Sequence, residues 1–163
     1  MFQINEYVIH VTGGICQVRD IAPLDISGAD KDRKYYFLAP IKAQGSKVFV
    51  PVDNDSAMRK IVTESEALKL IEDFPKIEEV VIENDKLREA KYKEVIKSCD
   101  LRELVSIIKN LHARRLKRLE EGKKNTATDD KYIKIAEENL FSELAFVLKK
   151  DKDEMKESFF SVI

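Results

Sequence analysis

The feature that most constrains this chain is a change of hydrophobic period close to residue 60. Before it, β-branched and aromatic residues form short alternating runs, and after it apolar residues recur every three or four positions. The first pattern suits strands and the second suits amphipathic helices. The early runs are Tyr7-Val8-Ile9-His10, then Ile15 to Ile21, then Tyr35-Tyr36-Phe37-Leu38, then Lys47 to Val52. Gly13-Gly14 separates the first two and Gln44-Gly45-Ser46 the last two, so each pair is expected to close as a hairpin. A polar loop from Pro23 to Lys34 joins the pairs. Four antiparallel strands of this size are expected to curl into a small barrel or half-barrel. Pro51 cannot donate to a ladder and marks a strand end or a sheet edge.

Beyond Val62, only Gly122 and Pro75 interrupt a helical pattern. Thr63-Glu64-Ser65-Glu66 fits a capping box opening a helix that would bury Leu68 and Ile71 before Pro75 stops it. A second helix is expected from Asn84 to Lys97. Asp100 with Glu103 caps a third, whose Leu101, Leu104, Val105, Ile108 and Leu111 make one apolar stripe. The polar segment from Gly122 to Thr128 leads into a fourth, with Ile133, Ala136, Leu140, Leu144 and Val147 on one face. Met155, Phe159 and Val162 predict a short fifth helix folded back on the bundle. The fold class is therefore α+β: a β module over residues 1–60 and an all-α bundle of about five helices over 61–163. Asp53-Asn54-Asp55 is the expected interdomain turn.

Composition narrows the function. The chain has 163 residues, of which 44% are apolar, enough to bury a core in each part. Twenty-nine basic side chains face thirty acidic ones, which excludes a protein that coats DNA through net charge alone. Cys16 and Cys99 sit in no C-x-x-C pattern and read as reduced, packed thiols. The opening residues lack a basic region followed by an apolar run, and no stretch approaches 18 uncharged apolar residues, so a cytoplasmic, membrane-free protein is expected.

Catalytic signals are thin. His10 and His112 stand beside no Cys, Asp or second His at ligand spacing, and packing is the expected role of both. G-x-S-x-G, G-x-x-x-x-G-K-[ST] and H-E-x-x-H are absent. A non-enzyme with no cofactor, no metal and no small-molecule substrate is expected. Charge is nevertheless polarised along the chain. From Leu111 to Asn125 six basic residues stand against Glu120 and Glu121, whereas from Glu64 to Glu83 seven acids stand against Lys69 and Lys76. The basic segment is either a solvated helix end or a phosphate-contacting patch. The strands offer a second contact mode, pairing of an exposed edge with a partner protein.

Several pieces, in order and spacing, resemble the CarD/CdnL family of bacterial transcription regulators along most of the chain. Phe2 to His10 with Gly14 looks like the family's first strand and glycine turn, and Val48-Phe49-Val50-Pro51 like its V-x-V-P strand. Ser98-Cys99-Asp100 stands where the family has Ser-Gly-Asp, and Ser142-Glu143-Leu144-Ala145 resembles its G-E-L-A. The resemblance implies a Tudor-like N-terminal module docking on the β subunit of RNA polymerase. It also implies a helical module touching promoter DNA at the upstream edge of the melted region, so that the open complex is favoured.

On that resemblance the polymerase-binding residues are Tyr36, Phe37, Val48, Phe49, Val50 and Pro51, and the DNA-binding residues Arg88, Lys91, Arg114, Arg115 and Lys117. Two departures stand out. The family's tryptophan wedge has no counterpart, because the chain has no Trp and the matching position is Asp85, and a basic residue of the docking strand is replaced by Phe49. The expected function is a transcription regulator with weak, sequence-independent DNA contacts. The alternative is a protein-interaction adaptor that has lost DNA binding.

Overall fold

Each of the four alternating runs forms a strand in the computed structural model, which describes residues 1–163. They are β1 (Tyr7–His10), β2 (Gly14–Pro23), β3 (Lys34–Pro40) and β4 (Val48–Pro51). The turn expected between the domains, Asp53-Asn54-Asp55, lies within the N-terminal unit, where it is followed by a fifth strand, β5 (Met58–Lys60). Its residues carry little strand propensity of their own, and β5 exists because it pairs with β1, Val8 opposite Lys60 and His10 opposite Met58. All pairings are antiparallel and the order is β4-β3-β2-β1-β5. The two end strands have no mutual pairing, so the sheet is open rather than a closed barrel.

Curvature comes from a bulge between Val18 and Asp20 in β2, which adds Arg19 opposite a continuous β3 and bends the strand. The concave face buries Phe2, Val8, Cys16, Val18, Tyr36, Leu38, Val50 and Met58. Tyr36 is fully buried, edge-on to Phe2 at 5.5 Å, and its hydroxyl accepts the Phe2 N–H at 3.2 Å. A phenolic group in such a core needs that partner. The first hairpin turns at Gly14, whose φ of +66° a side chain would strain.

The chain divides into two compact units, Met1–Ile61 and Val62–Ile163. The second holds α1 (Glu64–Asp73), α2 (Arg88–Ser98), α3 (Leu101–Glu120), α4 (Ala127–Leu148) and α5 (Lys152–Val162). Both halves of the capping box form at α1, Thr63 Oγ1 accepting the Glu66 N–H and Glu66 Oε2 accepting that of Thr63. Asp100 caps α3 by accepting the N–H groups of Arg102 and Glu103. Leu101, Leu104, Val105, Ile108 and Leu111 are all buried. So are Ile133, Ala136, Leu140 and Leu144 of α4, while Val147 is partly buried against the same core.

The phase of α1 differs from the sequence reading. Ala67 and Leu70 face inward, while Leu68 is half exposed and Ile71 only partly buried. The anchor is Phe74, just past the helix in a 3-10 turn with Pro75, whose ring meets Phe159 edge-on at 4.9 Å. Residues 67, 70 and 74 form the stripe that reaches it. In α5, Met155 and Phe159 are buried but Val162 is 47% exposed. Buried Glu143, in the Ser142-to-Ala145 motif, accepts the Val62 N–H at 3.1 Å and ties the entry segment to α4.

Cys99 closes α2 in the left-handed conformation, φ 56°. Glycine adopts this backbone without the Cβ clash that costs other residues roughly 1 kcal/mol. Cys99→Gly is therefore expected to raise the stability of the helical unit by about 0.5–1 kcal/mol, read as a higher urea midpoint at unchanged slope. An unchanged or lower midpoint would show that the thiol's own contacts outweigh the backbone strain.

Candidate functional site

Two surfaces gather the residues singled out in the sequence. The first is the outer edge of β4. Val52 N–H donates to the Lys34 carbonyl at 3.0 Å, so the two-residue alternation of an antiparallel ladder turns Val50 and Val48 toward β3. Phe49 and Pro51 then present their main chains outward. Pro51 lacks a donor where none is needed, and its carbonyl accepts the Asn54 N–H at 3.1 Å. The unpaired main-chain groups of Phe49 remain at the edge.

Side chains split by the same alternation. Tyr36 and Val50 are in the core and Val48 packs against it, so their side chains are withdrawn from any partner. Phe37 and Phe49 sit opposite each other across β3 and β4 on the outer face, edge-on at 5.0 Å, with Phe49 44% exposed. Tyr35, opposite Pro51, extends this aromatic surface, with the Arg33 guanidinium 5.6 Å from its ring. Tyr35 was missed in the sequence although the signal was there: successive strand residues face opposite ways, so Tyr35 and Phe37 share a face that Tyr36 cannot.

The second surface lies at the start of α2 and the middle of α3. Asp85 opens a 3-10 turn that runs directly into α2. One of its carboxylate oxygens, Oδ1, accepts Arg88 Nε at 2.8 Å and Arg114 Nη1 at 3.3 Å. Arg88 Nη1 also donates to Tyr92 Oη at 2.9 Å and Asn110 Oδ1 at 3.0 Å, and Asn110 in turn donates to the Val80 carbonyl. Arg114 Nε donates to Asp129 Oδ2 at 2.8 Å, while Tyr92 Oη donates to Asp129 Oδ1 at the same distance. The Asp129 side chain is 3% exposed, Arg88 12% and Arg114 20%, whereas Asp85 is 69% exposed.

Electrostatics follow from that geometry. The hydrogen bond from Arg88 and the charge of Arg114 hold the Asp85 carboxyl below its ordinary range. Burial, then the hydrogen bond to Asp129, pushes the Tyr92 phenol up to about 12, so it stays a donor. Two carboxylates and two guanidinia cancel in charge. Three of the five basic residues expected to meet DNA are thus already paired within the fold, Arg88 and Arg114 in this cluster and Lys91 on the surface of α2. Lys91 is 34% exposed and reaches Glu94 at 3.4 Å, and Arg115 and Lys117 are exposed on α3. Folding brings Arg88 and Arg114 together through Asp85, but it does not join Arg115 and Lys117 to that cluster.

Residues 2–62 match the CarD-like/TRCF RID domain family. The match spans the N-terminal unit and leaves the helical unit outside it. No curated protein matches the chain. The match covers β1 to β5 and ends where the helical unit begins. It supports an RNA polymerase-interacting, transcription-related protein and describes an interaction module rather than a catalytic one.

Within the N-terminal unit, His10 is structural: its Nδ1 accepts the Thr12 and Gly13 N–H groups at 3.3 and 3.0 Å and closes the first hairpin, and burial lowers its pKa. Cys16 is buried and its thiol is pushed up to about 11 by burial, which makes it a poor nucleophile. In the helical unit His112 packs its ring against Phe160 at 4.9 Å. No group of three or more His, Cys, Asp or Glu residues is placed to hold a metal ion. No helix is long and apolar enough to cross a membrane.

Proposed function

We propose that this chain is a transcription regulator whose RID domain docks on the β subunit of RNA polymerase through the β4 edge. The observation that carries the reading is an unpaired edge strand, in a unit that matches this family, flanked by exposed Phe49 and the half-buried Phe37 it packs on. A partner strand pairing with Phe49 supplies main-chain hydrogen bonds, and the aromatic face supplies apolar contact and selectivity. Phe49 makes this an apolar rather than a charge-led dock. The helical unit then approaches promoter DNA near the melted region, with Lys91, Arg115 and Lys117 as the phosphate contacts and Arg88 and Arg114 held back by carboxylates. Open-complex lifetime is the step such contacts influence.

A second reading, an adaptor without DNA binding, is favoured by the pairing of Arg88 and Arg114 with Asp85 and Asp129 and by the balanced overall charge. Binding of the full chain to core polymerase, to promoter DNA, and to the two together separates the readings. The regulator is expected to bind polymerase alone, to bind free DNA weakly with loss as salt rises, and to lengthen open-complex lifetime. Polymerase binding with unchanged open-complex lifetime would select the adaptor. No binding to polymerase would remove both.

A further inference from the structure

The Arg88–Asp85–Arg114 cluster has the construction of an occupied anion site. Two guanidinia converge on one oxygen of one carboxylate, the arrangement in which arginines hold an oxyanion. Their remaining geometry is fixed from behind: Tyr92 and Asn110 hold Arg88, and Asp129 holds Arg114, so both forks keep their positions whether or not Asp85 is present. Asp85 itself is the most exposed member and is attached only through a short turn. An exposed carboxylate of this kind is weakly retained. With it swung aside, Asp129, bonded to Arg114, is the one carboxylate left in the cluster, which then carries one uncompensated positive charge beside exposed Lys86.

We propose that Arg88 and Arg114 form a preorganised phosphate site, that Asp85 occupies it as an internal stand-in, and that a nucleic-acid phosphodiester opens it by displacing that carboxylate. The site deepens the DNA-contact reading above by giving the two withdrawn arginines a conditional role. Asp85 acts as a brake on affinity, since an incoming phosphate must compete with a charge already present at the site. The gain from removing Asp85 depends on the two arginines, and loss of a nearby negative charge elsewhere gives no comparable gain.

The test uses the full chain as wild type, Asp85→Ser, Asp85→Asn and Glu83→Ser, the last removing an exposed charge two residues away. Inorganic phosphate is titrated while the side-chain Nε–Hε resonances of Arg88 and Arg114 are followed by NMR. A short labelled DNA duplex is titrated by fluorescence anisotropy at several salt concentrations. Both Asp85 variants are expected to move both arginine resonances with phosphate. They should also bind the duplex about 5- to 10-fold more tightly than wild type at low salt, with a log-log salt slope steeper by about one, as for one added phosphate contact. Glu83→Ser should stay within about twofold of wild type, since Glu83 bonds to neither arginine and its general field effect fades as salt is raised. Phosphate-dependent shifts without any duplex gain would support the anion site but assign it to a free phosphate, and would count against the DNA reading. Unmoved arginine resonances in the folded Asp85 variants, or an equal gain from Glu83→Ser, would overturn the site.

Discussion

Arg114→Met is expected to destabilise the helical unit by about 3–5 kcal/mol, the cost of stranding one member of a buried ion pair. The reason is Asp129. Its side chain is 3% exposed, and of the groups that satisfy it Arg114 supplies the positive charge and Tyr92 only a neutral donor. Methionine fills similar volume along α3 but leaves the carboxylate uncompensated. In a unit of this size the loss corresponds to a fall of more than about 10 °C in the melting temperature. Arg114→Met combined with Asp129→Asn is expected to recover much of it, because the remaining amide still accepts from Tyr92 without carrying charge. A double variant no more stable than Arg114→Met alone would mean that the guanidinium matters for packing rather than for charge. Arg88→Met should cost less: it takes a donor from Tyr92 and Asn110, but its carboxylate partner Asp85 is reached by water and keeps Arg114.

Phe49→Asp is expected to weaken binding to the polymerase β subunit by at least about tenfold, since the residue would stand at the centre of a docked edge, where buried aromatic anchors dominate affinity. The N-terminal unit should survive the change. Phe49 is 44% exposed and contributes its edge-on contact with Phe37 rather than core volume, so the loss in stability is limited to roughly 0.5–1.5 kcal/mol. Val50→Asp, one residue along, is the opposite case: that side chain is 3% exposed in the concave core, and the variant is expected to unfold the module. Phe49→Thr separates the two contributions at the edge, keeping strand propensity while removing the ring. A folded Phe49→Asp variant that binds polymerase normally would move the docking surface elsewhere, with the β5 edge as the remaining open edge of the sheet.

Local physics made much of the molecule legible in the sequence by itself. The change of period near residue 60 separated strands from helices because side-chain direction repeats every two residues in one and every 3.6 in the other. The caps at Thr63 and Asp100, and the stripe from Leu101 to Leu111, involve neighbours within one or a few turns. The tertiary structure decided the rest. β5 exists by virtue of a partner strand some fifty residues away, and α1 takes its phase from Phe74 meeting Phe159 on α5. The opposite facings of Phe37 and Tyr36 are local, but which face is core depended on the bend of the whole sheet. Asp85 shows the same limit at the candidate site. In the sequence it is an acid where a wedge was expected; in the fold it joins Arg114, 29 residues on, while Asp129 lies 15 residues from Arg114 and 37 from Tyr92. No local preference encodes such pairings, because they form only when packed helices bring charges from separate turns into a space from which water is largely excluded.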